Sequence, residues 1–258
     1  MSEMILTTQK LTKNFGGIRA VAELDIHIKK GEIHALIGPN GSGKSTTLNL
    51  LNGIYLPTEG HILYQGEQIE QLPVYKRTKL GIGRTFQNIR LFDSLTVFDN
   101  ILAGLHTRQT VGSVQEIFGT SAARQQKRAF SEKIYELCKM VGLEGRETAP
   151  ANSLPYGDRR MLEIARAMAS EPQLLLLDEP FAGMSPSDSD HLVEIIEKIQ
   201  STGVTIFLVE HHMRVVMKLS HNISVLNFGM KIAEGTPEEI RNNPEVIEAY
   251  LGKEEQDA

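Results

Sequence analysis

The sequence predicts an α/β protein with a mixed, largely parallel sheet flanked by helices, and three observations predict it. Apolar runs of strand length recur far apart in the chain, at residues 33–37, 174–177 and 205–209. Stretches with helical spacing of apolar residues separate several of these runs, the alternation that builds parallel sheets. A glycine-rich turn also joins the first run directly to a helical pattern, and such a turn aims backbone N–H groups at an anion.

Taken in order, the first 30 residues read as strands, at 4–8 and 23–29. Leu24, Ile26 and Ile28 alternate with polar residues, which suits an N-terminal antiparallel subdomain with one solvated face. Further strands are expected at 61–64, 83–86 and 222–226. Leu48 and Leu51 mark the helix after the glycine turn, which Gly53 can end. Two more helices are expected at 131–141, stopped by Gly142, and at 159–169. Residues 88–170 are mainly helical in pattern and read as a helical subdomain inserted into the core, which takes 1–87 and 171–258. Residues 107–126 are polar and weakly periodic, so a loop-rich excursion is expected there. The chain shows no internal repeat or low-complexity tract.

The chemistry lies in two segments. After the strand at 33–37 comes Gly38-Pro39-Asn40-Gly41-Ser42-Gly43-Lys44-Ser45, a phosphate-binding loop in its required place between strand and helix. Gly38, Gly41 and Gly43 let the backbone turn tightly, and Thr46 follows in the first helical turn. Lys44 would reach the β- and γ-phosphates, and the Ser45 hydroxyl would ligate Mg²⁺. The second segment, LPYGDRRMLEIARAMASEPQLLLLDEP at 154–180, joins a glycine turn and helix to an apolar strand ending in Asp178 and Glu179. Paired acids at a buried strand end can hold Mg²⁺ and activate water.

Composition narrows the class. The 258 residues carry a net charge of −5, which argues against an overall attraction to nucleic acid. Cys138, the single cysteine, has no partner for an internal disulfide and falls among Ile134, Leu137 and Val141 at helical spacing, which predicts buried packing. No apolar run approaches the ~18 residues that span a bilayer, and MSEMILTTQKL at the start lacks a secretory apolar core. A cytoplasmic protein is expected, with any membrane role supplied by a partner.

Three further features complete a family pattern: Gln87 in RTFQNIRLF, the turn AGMSP at 182–186, and His211 closing TIFLVEH. With the loop at 38–45 and LLLLDEP, their order resembles the ABC-type ATPase subunits over nearly the whole chain. The resemblance implies one ATP-binding domain, a P-loop NTPase core with a β-subdomain and an inserted helical subdomain. It implies that Asp178 holds Mg²⁺, that Glu179 is the general base, and that Gln87 senses Mg²⁺ and the attacking water at a hinge. His211 would contact the γ-phosphate, with His212 as the alternative at a register shifted by one. Phe15 in NFGG resembles the aromatic that stacks on adenine, although it could equally cover a core edge. The guanine-reading N/T-K-x-D pattern is absent from the sequence, which disfavours GTP.

The turn at 154–158 departs from the family signature L-S-G-G-Q. Pro155 stands in the serine position and Tyr156 in that of the first glycine, while Gly157 is kept and Asp158 replaces glutamine. In the family this turn closes over ATP bound by a second subunit. Pro155 offers neither hydroxyl nor N–H, leaving the helix dipole and the Gly157 N–H to face phosphate; Asp158 is expected to point away.

The core Y-G-[QD]-x-R-x-L-E-I-A-R-A and the segment GTPEEIRNNPEVIEAYLG resemble branched-chain amino-acid importers. Lipopolysaccharide-exporting and urea-importing relatives share much of the pattern. The implied partners are membrane permease subunits, a second ATP-binding subunit in a homo- or heterodimer and, through the permease, a periplasmic solute-binding protein. The implied place is the inner face of the plasma membrane. A non-transport ABC ATPase acting on nucleic acid or complexes is the competing reading, and the single phosphate loop and lack of sustained heptads weigh against it.

Overall fold

The structure, a computed structural model, describes residues 3–108 and 120–251. Strand β1 (Met4–Phe15) organises an antiparallel sheet. It pairs with β2 (Ile18–Leu24), β3 (His27–Lys29) and β5 (Glu59–Tyr64), and β6 (Glu67–Gln68) pairs antiparallel with β5. The second sheet runs β11 (Met230–Gly235), β10 (Asn222–Asn227), β4 (Ile33–Ile37), β9 (Thr205–Val209), β8 (Leu174–Asp178), β7 (Ile82–Arg84). Neighbours from β10 to β7 are parallel, and β11 is an antiparallel edge.

The unbroken apolar run of β8 follows from burial on both faces. Leu174 and Leu176 meet the antiparallel sheet and helix α1 (Lys44–Asn52), while Leu175 and Leu177 meet the helices opposite. Those helices are α3 (Val97–Leu105), α4 (Ser121–Met140), α5 (Tyr156–Ala169) and α6 (Pro186–Ser201). Residues between the adjacent strands β7 and β8 supply α3, α4 and α5. Beyond β10, helices α7 (Met213–Leu219), α8 (Pro237–Arg241) and α9 (Pro244–Leu251) close the edge around Ile37, Val225 and Ile240. Helix α2 (Val74–Leu80) contributes Arg77, fully buried, whose guanidinium donates to the carbonyls of Leu50 and Leu51 at 2.7 and 2.8 Å. A cation thereby caps the last turn of α1, where the helix dipole is negative.

Two expectations are corrected. Residues 23–29 form the end of β2 and then β3, because Glu23 takes a left-handed φ of 47° and breaks the strand. Thr8 seals the break: its hydroxyl donates to Leu24 O at 2.7 Å and accepts the Ile26 N–H at 2.8 Å. The helix expected at 131–141 begins at Ser121, capped by the Thr120 hydroxyl on the Ala123 N–H. Residues 121–130 are rich in Ala, Arg, Gln and Lys, which favour helix without an apolar stripe. Helix thus replaces the expected loop over 121–126, and residues 109–119 lie outside the described part.

Cys138 is fully buried on α4, and burial, with the Glu147 carboxylate adding to it, pushes its thiol up to about 12. The nucleophilic thiolate is therefore scarce at neutral pH. Iodoacetamide at pH 8 is expected to label Cys138 at least 100-fold more slowly in native protein than in guanidinium, read by intact mass. Equal rates would place the thiol at the surface.

Candidate active site

Strand β4 is buried throughout and delivers the chain to Gly38 at the end of the sheet. A Cβ on Gly38 would lie 2.1 Å from the Leu226 carbonyl oxygen, and one on Gly43 2.5 Å from that of Ala20. The loop is thus wedged between β10 and the β1–β2 hairpin, and only glycine fits at these two points. Lys44 is buried and donates to the Gly38 and Pro39 carbonyls at 2.7 and 3.0 Å. Gly43 offers no side chain to cap α1 and its first turn holds no acid, so the positive end of the helix dipole points at the loop with no carboxylate of its own.

A cleft of about 280 Å³ opens on this loop, lined by Ala20, Asn40, Gly41, Gly43, Lys44, Ser45, Thr46, Gln87 and Glu179. Gln87 Nε2 donates to Glu179 Oε2 at 2.9 Å, bringing the two together over the loop. Glu179 itself holds a left-handed φ of 45°. Its N–H bonds Val209 O at 2.9 Å, tying it to the end of β9. Asp178, one residue earlier, is buried and paired with Arg84 at 3.0 Å, and Arg84 also donates to Asn49 Oδ1 at 2.8 Å. Ser45, Gln87 and Asp178 offer the hard oxygen donors that Mg²⁺ prefers, so the side chains present fit that ion.

His211 Nδ1 lies 3.7 Å from Glu179 Oε2 and 3.5 Å from Glu210 Oε2, so its ring sits between the two acids. His212 Nδ1 lies 3.0 Å from Glu210 Oε2. Glu210 is fully buried and accepts the N–H groups of His211 at 2.6 Å, His212 at 2.9 Å and Phe181 at 3.3 Å. Glu210 thereby ties the histidine turn to the turn after Glu179.

Other expected residues lie outside the cleft. Phe15 is 42% exposed at the hairpin, its ring edge-on to Tyr55 at 5.2 Å with Lys13 Nζ 5.1 Å from its centroid. Gly38, Pro39 and Ser42 form the buried underside of the loop. Gly157 is buried in the first turn of α5, where a Cβ would lie 2.9 Å from the Asp188 carboxyl carbon. Asp158 is ion-paired with Arg146.

Residues 21–182 match the ABC transporter family, with the phosphate loop, the Gln87 turn and LLLLDE all inside the matched span. The chain belongs to that family. A second match, to the branched-chain amino acid ATP-binding cassette transporter family, covers residues 230–256. The high-affinity branched-chain amino acid transport ATP-binding protein BraF of Pseudomonas aeruginosa is 42% identical over 98% of this chain and 100% of its own length. The lipopolysaccharide export system ATP-binding protein LptB of Haemophilus influenzae is 33% identical over 97% of this chain and 98% of its own. Among solved structures, the ADP conformation of the cassette MJ1267 superposes with a TM-score of 0.84 at 27% identity, covering 96% of this chain and 99% of that one. As an ATP-binding cassette, the chain is an ATPase subunit of a transporter.

Sequence reading missed Arg84, Glu210, Arg160 and Glu163. Arg160 and Glu163 are both buried and paired at 2.8 Å. Their signal was visible, since charged residues spaced three apart inside an apolar helix must be paired to be buried.

The loop glycines differ in cause. Gly41 has φ 78° and open space at its Cβ position, so Gly41→Ala adds left-handed strain of about 1–2 kcal/mol, a fall of roughly 2–8 °C in Tm. Gly43→Ala adds the clash with Ala20 and is expected to fall further in calorimetry. Equal falls would mean the hairpin yields to the loop.

Proposed function

We propose that this chain is the MgATP-hydrolysing subunit of an importer for branched-chain amino acids. The observation that carries the catalytic part is the 2.9 Å contact of Gln87 with Glu179 above a cleft walled by Lys44 and Ser45. Lys44, bonded to two loop carbonyls, is already aimed along the loop and would transfer its N–H groups to the β- and γ-phosphates. Asn40, Gly41, Ser42, Gly43 and Thr46 complete the cradle, and Gly38 and Pro39 set its turn. Phe15, exposed on the hairpin, is the residue that would stack on adenine.

Ser45, Asp178 and Gln87 would hold Mg²⁺, which when bound neutralises phosphate charge. Glu179 would take the proton of the attacking water as general base. His211, within 3.7 Å of that carboxylate, would orient Glu179 and the γ-phosphate. The turn at 154–158 would close on ATP of a second ATP-binding subunit, with the Gly157 N–H and the uncapped start of α5 facing the phosphate. We take residues 1–258 as one ATP-binding domain and 88–170 as its helical subdomain.

Branched-chain amino acids are favoured over lipopolysaccharide by the match at 230–256 and by the higher identity to BraF. The partners on this reading are permease subunits, a second ATPase and, through the permease, a periplasmic binding protein, with the chain held at the inner face of the membrane. None of its described helices is long and apolar enough to cross a membrane, so a permease must supply the span. A cleft of about 350 Å³ between α2, α3 and α5, bordered by Arg84, Phe86 and the exposed Phe92, is the surface offered to it. Arg84 lines that cleft and also holds Asp178, which joins the docking surface to the nucleotide site.

Glu179→Gln should retain ATP binding and lose turnover by about 10²–10⁴-fold, measured as phosphate release; wild-type turnover would remove Glu179 as the base. Lys44→Ala should abolish tight ATP binding in calorimetric titration, and unchanged affinity would remove the loop from the mechanism. Pull-down from solubilised membranes is expected to bring permease subunits with the chain. Nucleic acid in their place would favour a non-transport ATPase.

A further inference from the structure

We propose that Tyr156, Arg160 and Glu163 form a hydrogen-bonded relay between the signature turn and this chain's own catalytic pair, Gln87 and Glu179. The inference rests on the ATPase reading above and assigns residues that act through others. Arg160 Nη1 donates to Phe86 O and Nη2 to Gln87 O, both at 2.8 Å. Glu163 Oε1 accepts the N–H groups of Phe86 and Arg90, both at 3.3 Å. One buried ion pair thus holds two carbonyls and two amides of the segment that presents Gln87.

Tyr156 extends this grip to the other side of the cleft. Its Oη donates to Ala182 O at 3.0 Å and lies 3.4 Å from Arg160 Nη2. Ala182 N–H in turn donates to Glu179 O at 3.2 Å. With the Gln87–Glu179 contact at 2.9 Å, the contacts close a ring: Tyr156, Arg160, Gln87, Glu179, Ala182 and back to Tyr156. The tyrosine stands where the signature has its first glycine, and it lies against Gly183, whose added Cβ would meet its hydroxyl at 3.4 Å and its ring at 3.5 Å. Through this ring a shift of the turn at 155–157 is passed to Gln87, Glu179 or both. Whatever closes on that turn therefore sets the spacing of the residues that handle water.

A buried Arg–Glu pair alone would be explained by structure, since breaking one strands a charge. Tyr156 differs, because it is 46% exposed and its hydroxyl can be removed without opening the core. Arg160→Leu would leave Glu163 buried without its cation, so Tyr156→Phe carries the test. In purified full-length chain, kcat of Tyr156→Phe is expected to fall about tenfold, as small misplacements of catalytic groups do, with KM for MgATP within twofold and Tm within about 2 °C. Paired with Gln87→Ala, it should add less than a further twofold loss, because both changes interrupt the same ring. Unchanged kcat in Tyr156→Phe, or losses that multiply in the double variant, would overturn the relay while leaving the ATPase reading intact. A wild-type chain that neither binds nor hydrolyses MgATP would overturn both.

Discussion

Leu36 lies opposite Val209, and Val209 opposite Asp178, across parallel ladders, so β4, β9 and β8 finish level with one another. The residues that follow are Gly38, Glu210 with the histidines, and Glu179. Three groups whose extremes, Gly38 and Glu210, lie 172 positions apart are thereby delivered to one edge of one sheet. A ligand site outside the carboxyl ends of parallel strands is the general consequence of this topology. Here it also shapes composition: strands buried on both faces are mostly apolar, the buried His34 of β4 is satisfied by Glu32 and Ser224, and carboxylates first appear at the end of β8 in Asp178.

That abrupt change from apolar to charged makes the edge electrostatically demanding. Asp178 and Glu210 are buried carboxylates, and a buried charge persists only if it is paired and hydrogen-bonded. Asp178 has Arg84, and Glu210 has three backbone N–H groups and the His212 ring. Glu179, by contrast, stays partly exposed and faces the cleft. The buried acids give shape to the edge, and Glu179 is the one left open to the cleft.

How much of this was legible in the sequence depended on whether the signal was local. The phosphate loop and the acid pair were legible because their chemistry is written in contiguous residues between a strand and a helix. The strands of the parallel sheet were legible because burial on both faces leaves runs that are mostly apolar, unbroken at Leu174 to Leu177 in β8. Arg84 escaped notice because its partner Asp178 is 94 residues away, a pairing that nothing near Arg84 announces. Glu210 was hidden beside two more conspicuous histidines. The break after Leu24 was invisible for a different reason: Leu24, Ile26 and Ile28 are all buried, so the alternation is genuine while the strand is not continuous. The early start of α4 was masked by a polar surface that supplies helix propensity without periodicity.

The left-handed backbone of Glu179 bears on which residues this position can accept over generations. Glycine, asparagine and aspartate adopt this conformation with the least strain, and straight-chain glutamine at about the cost already met by glutamate. Valine, isoleucine and threonine crowd their own backbone there and would disturb the turn to Phe181 and Ala182 as well as removing the acid. Position 179 therefore accepts only a narrow set of substitutions that keep the turn. A branched residue there would mark a cassette whose sheet edge had already been rebuilt.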